Sequence, residues 1–130
     1  MAYLHAIHFS LEEAQSTLND ILPKAEQMSN AKRKLDTMGY DLRGHHFFAG
    51  MGTNGTKPYP DEVNKVIELF RELTAKGVVI KDISRGLIDF PTIRANGEEV
   101  YLCYLLGEKE IEFWHGIEDG FAGRQSIEEL

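Results

Sequence analysis

Asp89 and His115 are the residues of this chain best suited to acid–base chemistry. A carboxylate that orients an imidazole is the unit used by general bases and by the outer shell of metal sites. The plainer alternative is a buried, hydrogen-bonded pair with a structural role. Arg124 is the third candidate, at the end of Glu118-Asp119-Gly120-Phe121-Ala122-Gly123-Arg124-Gln125. Two glycines bracket an aromatic there and lead into a planar guanidinium suited to a carboxylate or phosphate. Its plainer alternative is a tail anchored by Phe121, with Arg124 paired to an acid such as Asp89 or Asp82.

Other reactive types are placed less favourably. Cys103 invites a thiol-nucleophile reading, which requires a base within hydrogen-bond reach. His45 and His46 are adjacent, so in extended chain they point apart and make poor joint ligands. His115 with Glu118 or Asp119, and a loop histidine or Asp89, could supply metal ligands. No CxxC, HxH or HExxH spacing supports this, so no metal centre is expected and no cofactor is identified. His5 and His8 precede the first helix, where surface or capping roles suffice.

These residues must be positioned by a small number of elements. Ser10 and Glu13 form a capping box before an apolar series, Leu11, Ala14, Leu18, Ile21, Ala25, Met28 and Leu35, that steps by three and four. The pattern predicts a helix over 10–38, broken in its stripe at Lys32 and kinked at Pro23, where a backbone donor is lost. A glycine-rich loop follows over 39–59. Its glycines do not have phosphate-loop spacing. Pro60, Asp61 and Glu62 then open a second helix over 60–76, with Val63, Val66, Ile67, Phe70 and Leu73 as its buried stripe. From 78 to 115 the period shortens to two, giving an antiparallel β-meander of three to four strands, and 116–130 is a tail. The expected fold is α+β in a single domain, 1–130: two long antiparallel helices packed on the meander.

Asn96-Gly97 is a strong signal for a two-residue hairpin turn. With those two residues as the turn, Asp89 pairs with Tyr104 and Phe90 with Cys103. Side chains alternate between faces of a sheet, so Asp89 and His115 share one face and Cys103 lies on the other. That parity removes the thiol-nucleophile reading. It also leaves Phe90, Tyr101, Leu105 and Trp114 on a second apolar face that needs a cover, and a homodimer is the expected cover.

The bulk numbers narrow the setting. A net charge of −7 and a pI near 5.2 argue against a nucleic-acid partner. The basic run Lys32-Arg33-Lys34 reads as a solvated helix face. Cys103 has no cysteine partner, MAYLHAIHFS is not a signal peptide, and Val100 to Leu106 is too short to span a membrane. Cytoplasm is the expected compartment.

The strings GLIDFP (86–91), YLCYLLGE (101–108), FWH (113–115) and GFAGRQ (120–125) together resemble a bacterial family catalogued as domain of unknown function twenty-two-zero-three. HFSLEEA (8–14), NG (54–55) and GVVIKD (77–82) extend the resemblance over nearly the whole chain. Tyr104 stands where the family usually has tryptophan. The resemblance implies a small cytoplasmic protein of unassigned activity, with Lys81, Asp82, Asp89, Cys103, Glu108, His115 and Arg124 as its motif polar groups. Two functions remain open: a dimerising binding or adaptor module, and a small-molecule or metal-dependent hydrolase-like enzyme using Asp89, His115 and Arg124.

Overall fold

The computed structural model describes residues 2–42 and 60–130. Most of the glycine-rich loop, with His45 and His46, lies outside the described residues.

Helix α1 (Leu11–Thr37) begins where its cap demands. The Glu13 amide donates to Ser10 Oγ at 3.0 Å and the Ser10 amide to Glu13 Oε1 at 2.8 Å, so two otherwise orphaned donors are satisfied reciprocally. The helix runs without interruption through Pro23. Its buried stripe is Ala14, Leu18, Ile21, Ala25, Met28, Ala31 and Leu35. Ala31 therefore fills the place where the periodicity appeared to break, and Lys32 points aside to pair with Asp36 and Ser84 Oγ. Helix α2 (Asp61–Ala75) buries Val63, Val66, Leu69 and Leu73. Leu69 takes the central place, and Ile67 and Phe70 flank the core half-buried. The two helices pack antiparallel: Lys24 reaches Glu72 at 3.0 Å, and Gln27 to Lys34 share a groove with Asp61 to Lys65.

The sheet has five antiparallel strands in sequence order, not three to four: β1 (Val79–Asp82), β2 (Leu87–Ile93), β3 (Glu99–Leu105), β4 (Phe113–Gly116) and β5 (Gln125–Ser126). The extra strand comes from the tail. At two residues, paired Phe113↔Ser126 and Trp114↔Gln125, it is too short to show a period.

The β2–β3 register corrects the expected one by a single residue. Asp89 lies opposite Cys103, not Tyr104, and Phe90 opposite Leu102. The connection has three residues, Ala95, Asn96 and Gly97. The Gly97 amide donates to Arg94 O and the Arg94 amide to Glu98 O, both at 2.8 Å. Gly97 has φ +90°, so this is a turn closed by a left-handed glycine, the commonest three-residue hairpin. The strand pair also places Arg94 against Glu98, whose side chains meet at 2.8 Å.

A one-residue shift in one strand exchanges its faces relative to its neighbour. Tyr101 lies opposite His115 and Cys103 opposite Phe113. The odd-numbered residues Asp89, Tyr101, Cys103, Phe113 and His115 therefore share one face. Ile88, Phe90, Val100, Leu102, Tyr104 and Trp114 share the other and pack on the helices as the main core. Among the described residues, no helix is long and apolar enough to cross a membrane.

The chain's own ends cover much of the odd-numbered face. Residues 3–8 are tied down by Glu99, whose carboxylate accepts the Leu4 and His5 amides and pairs with His8 Nε2 at 2.7 Å. The second covering segment is the tail.

Candidate functional site

Three adjacent strands bring Asp89, Cys103 and His115 together. Asp89 faces Cys103 directly across the β2–β3 ladder, and His115 sits across β3–β4 opposite Tyr101, one same-face position from Cys103. Their ligand-capable atoms all lie within 4.8 Å of one another, and all three residues are buried. The opposite-face placement of Cys103 is thus overturned by the hairpin loop length.

His115 Nε2 lies 3.0 Å from Asp89 Oδ2, and its Nδ1 lies 2.7 Å from Gly116 O. Both ring nitrogens face acceptors, so the doubly protonated imidazolium satisfies both. Burial works against that charge. The hydrogen bonds to Asp89 and Gly116 and the Asp89 charge outweigh it, and the imidazole pKa is raised above its ordinary 6.5. Gly116 is shaped for this position. Its amide donates to Asp119 Oδ2 at 3.1 Å, and a Cβ there would fall 2.5 Å from the same oxygen.

Lys81 joins the same cluster. It is the extra residue of a bulge between Ile80 and Asp82, a feature that commonly re-aims a side chain. Its ammonium lies 3.9 Å from Asp89 Oδ2 and 4.5 Å from the centre of the Tyr101 ring. The Tyr101 hydroxyl meets His5 Nε2 at 2.6 Å. Burial, followed by the Asp89 and Glu99 charges, raises the tyrosine pKa. Burial also pushes the Cys103 thiol up to about 12, with the Asp89 charge adding to it. The thiol is therefore protonated at neutral pH and is no nucleophile as it stands. Asp89 Oδ1 is buried and accepts from no N–H or O–H group among the described residues.

Glu108 and Arg124 form a second unit that borders the first, with Arg124 Nη2 also 3.4 Å from Cys103 O. Arg124 Nη2 donates to Glu108 Oε1 at 2.6 Å, and Glu108 Oε1 also accepts the Leu105 amide at 2.7 Å. The guanidinium stacks 4.0 Å from the Phe113 ring centre and 4.7 Å from that of Phe121. The GFAGRQ segment is thus a latch that holds the tail over the odd-numbered face, and the acid it uses is Glu108 rather than Asp89 or Asp82. Asp82 joins neither unit: its Oδ1 accepts the Arg85 amide and its carbonyl the Gly86 amide, which closes the β1–β2 turn.

Of the seven motif polar groups, the structure gathers Lys81, Asp89, Cys103 and His115, pairs Glu108 with Arg124, and leaves Asp82 in a turn. Sequence reasoning set Cys103 aside and missed Glu99 with its His8 and His5 contacts. Opposite charge gave no signal for the register, because Arg94 faces Glu98 across the observed three-residue connection and would face Glu99, equally acidic, across a two-residue turn.

Comparison with known proteins places the chain without assigning it a chemistry. No curated protein matches it, and no solved structure matches it. One family model, described as an uncharacterized conserved protein, matches residues 8–127, from the strand-binding N-terminal segment to the last turn of the tail. With that span taking in both helices, all five strands and every residue of the buried cluster, the chain belongs to the DUF2203 family.

Proposed function

We propose that this domain is a non-catalytic binding module that self-associates through the apolar patch at its N-terminal end. The observation carrying this reading is the burial of the polar centre. Asp89 is 0% and His115 2% exposed, and each is engaged by the other. A general base must come within hydrogen-bond reach of its substrate, and a pair this buried leaves no room beside it for an organic substrate. A hydrolase using Asp89, His115 and Arg124 needs all three to converge on an open cleft. Arg124 is instead occupied by Glu108, Phe113 and Phe121.

Tyr3, Leu4, Ile7 and Leu11, along the N-terminal segment and the start of α1, expose between 38% and 68% of their surface and are the groups this surface would bury. Leu4 lies on backbone pinned by Glu99, so a partner meets an ordered segment at little ordering cost. A homodimer uses this surface rather than the sheet face, which the tail and N-terminal segment already cover. The acidic net charge of −7 fits a partner other than nucleic acid, and a lone, buried, unpaired Cys103 fits a cytoplasmic setting.

Sedimentation velocity at micromolar concentration tests this reading. The expected result is a dimer that Leu4→Glu converts to monomer with unchanged circular dichroism. A wild-type protein that stays monomeric throughout the micromolar range overturns it.

A further inference from the structure

The geometry points to a buried binding site for a borderline divalent transition-metal ion, of the Zn²⁺ class, formed by Asp89, Cys103 and His115. This inference is independent of the self-association reading, which concerns a different surface.

The donor set comes first. A thiol sulfur, an imidazole nitrogen and a carboxylate oxygen are the ligand types that such ions take, whereas Mg²⁺ and Ca²⁺ take oxygen alone. In a tetrahedral zinc site, bond lengths of about 2.0–2.3 Å put ligand atoms roughly 3.3–3.7 Å apart. Here the three donors already lie within 4.8 Å of one another, on three hydrogen-bonded strands that fix their backbone positions. Side-chain adjustment of the order of an ångström closes the set.

The surroundings supply two independent observations. Histidines that bind metals commonly donate their other ring N–H to a carbonyl or carboxylate, which fixes tautomer and orientation. His115 Nδ1 is held in this way by Gly116 O at 2.7 Å, and Nε2 is left aimed into the cluster. Asp89 is the second observation: in this 0% exposed residue Oδ1 accepts from no N–H or O–H group, and the remaining close donor to the carboxylate is the Cys103 thiol, whose proton a metal ion would displace. A carboxylate oxygen so placed is costly in a metal-free core and is accounted for by a cation.

Charge is compatible with loading. A divalent cation held by a carboxylate, a thiolate and a neutral imidazole sums to zero, so the loaded centre carries no net buried charge. Loading forms metal–sulfur, metal–nitrogen and metal–oxygen bonds and releases to solvent the thiol proton and any proton on Nε2.

The test uses the full chain, stripped with a chelator and titrated with Co²⁺ as a spectroscopic probe. Cys103 is the chain's single cysteine, so any thiolate-to-cobalt charge-transfer absorption reports this residue without recourse to a variant. The expected result is one equivalent of Co²⁺ with that absorption, erased by Zn²⁺. Cys103→Ser should remove the charge-transfer band. It should also weaken Zn²⁺ binding by more than the roughly 10–100-fold that loss of an outer-shell partner costs. Zn²⁺ should raise the Tm of the wild type and not that of Cys103→Ser. Co²⁺ binding without thiolate absorption overturns the proposal, as does unchanged affinity in Cys103→Ser, which would place the metal on surface groups.

Discussion

A buried ion pair is worth little against a well-packed apolar alternative and a great deal against its own half-removal. Asp89 and His115 are such a pair, set in the middle of a five-stranded sheet. Asp89→Asn leaves the imidazole with an unsuitable partner in a dry site. The expected cost is about 3–5 kcal/mol in urea-induced unfolding, and a loss below about 1 kcal/mol would show that the two do not act as an ion pair. Cys103, with its thiol pKa pushed up to about 12 and no exposed surface, should react with alkylating reagents only through opening of the fold. Its modification rate should follow denaturant concentration in the same way as the unfolding equilibrium; fast labelling of the native protein would contradict the burial.

At the scale of elements, the tail is more than a trailing end. Arg124 binds Glu108 while lying between Phe113 and Phe121, and β5 follows immediately. Lysine can keep the charge but not the flat face or the fork of donors. Arg124→Lys should therefore destabilise the fold by about 1–2 kcal/mol, within the ordinary range for a surface-linked packing loss. Hydrogen exchange should speed up first at β5 and β4, with helices α1 and α2 unaffected. Uniform acceleration across the chain would mean that the latch is part of the global folding unit. The β2–β3 hairpin shows the same dependence on a short segment. Whether two or three residues form its loop decides which side chains meet, and the dipeptide Asn96-Gly97 serves either form.

For the whole molecule, stability should peak between two titrating limits. Glu99 and Asp36 have lowered pKa values. For Glu99, burial works the other way but is outweighed by His8 and the His5 and Leu4 amides; for Asp36, the bonds from Lys32 and Ser84 dominate. A depressed carboxylate contributes stability above its unfolded value, here 4.5 and 3.8, and loses it as pH falls through the folded value. His115 has a raised pKa, so its contribution is complete below about pH 6.5 and is lost as pH rises through the folded-state value. Metal-free protein should accordingly lose stability on the alkaline side, and Asp89→Asn should flatten that limb while leaving the acid limb in place. A thermal-denaturation series across pH checks both limbs, and an alkaline limb identical in the two proteins would contradict the assignment to His115.

Local chemistry made several features legible in the sequence alone. The Ser10–Glu13 box and the three-four spacing from Ala14 to Leu35 specify α1, because capping and amphipathic period act within a few residues. Period-two alternation and turn residues likewise mark four of the strands, and Asp89 and His115 stand out as a carboxylate–imidazole pair. What tertiary structure alone decided is which residues join that pair. Sheet parity converts a one-residue difference in loop length into an exchange of faces, and that difference rests on small energies in a turn that tolerates both forms. The same holds for the tail: a two-residue strand carries no period, and the partner of Arg124 depends on which acid the folded β3–β4 turn presents. Cys103 thus moved from the far side of the sheet to the centre of the cluster with no change in its local sequence, because its neighbours are set by pairing across strands and not by position along the chain.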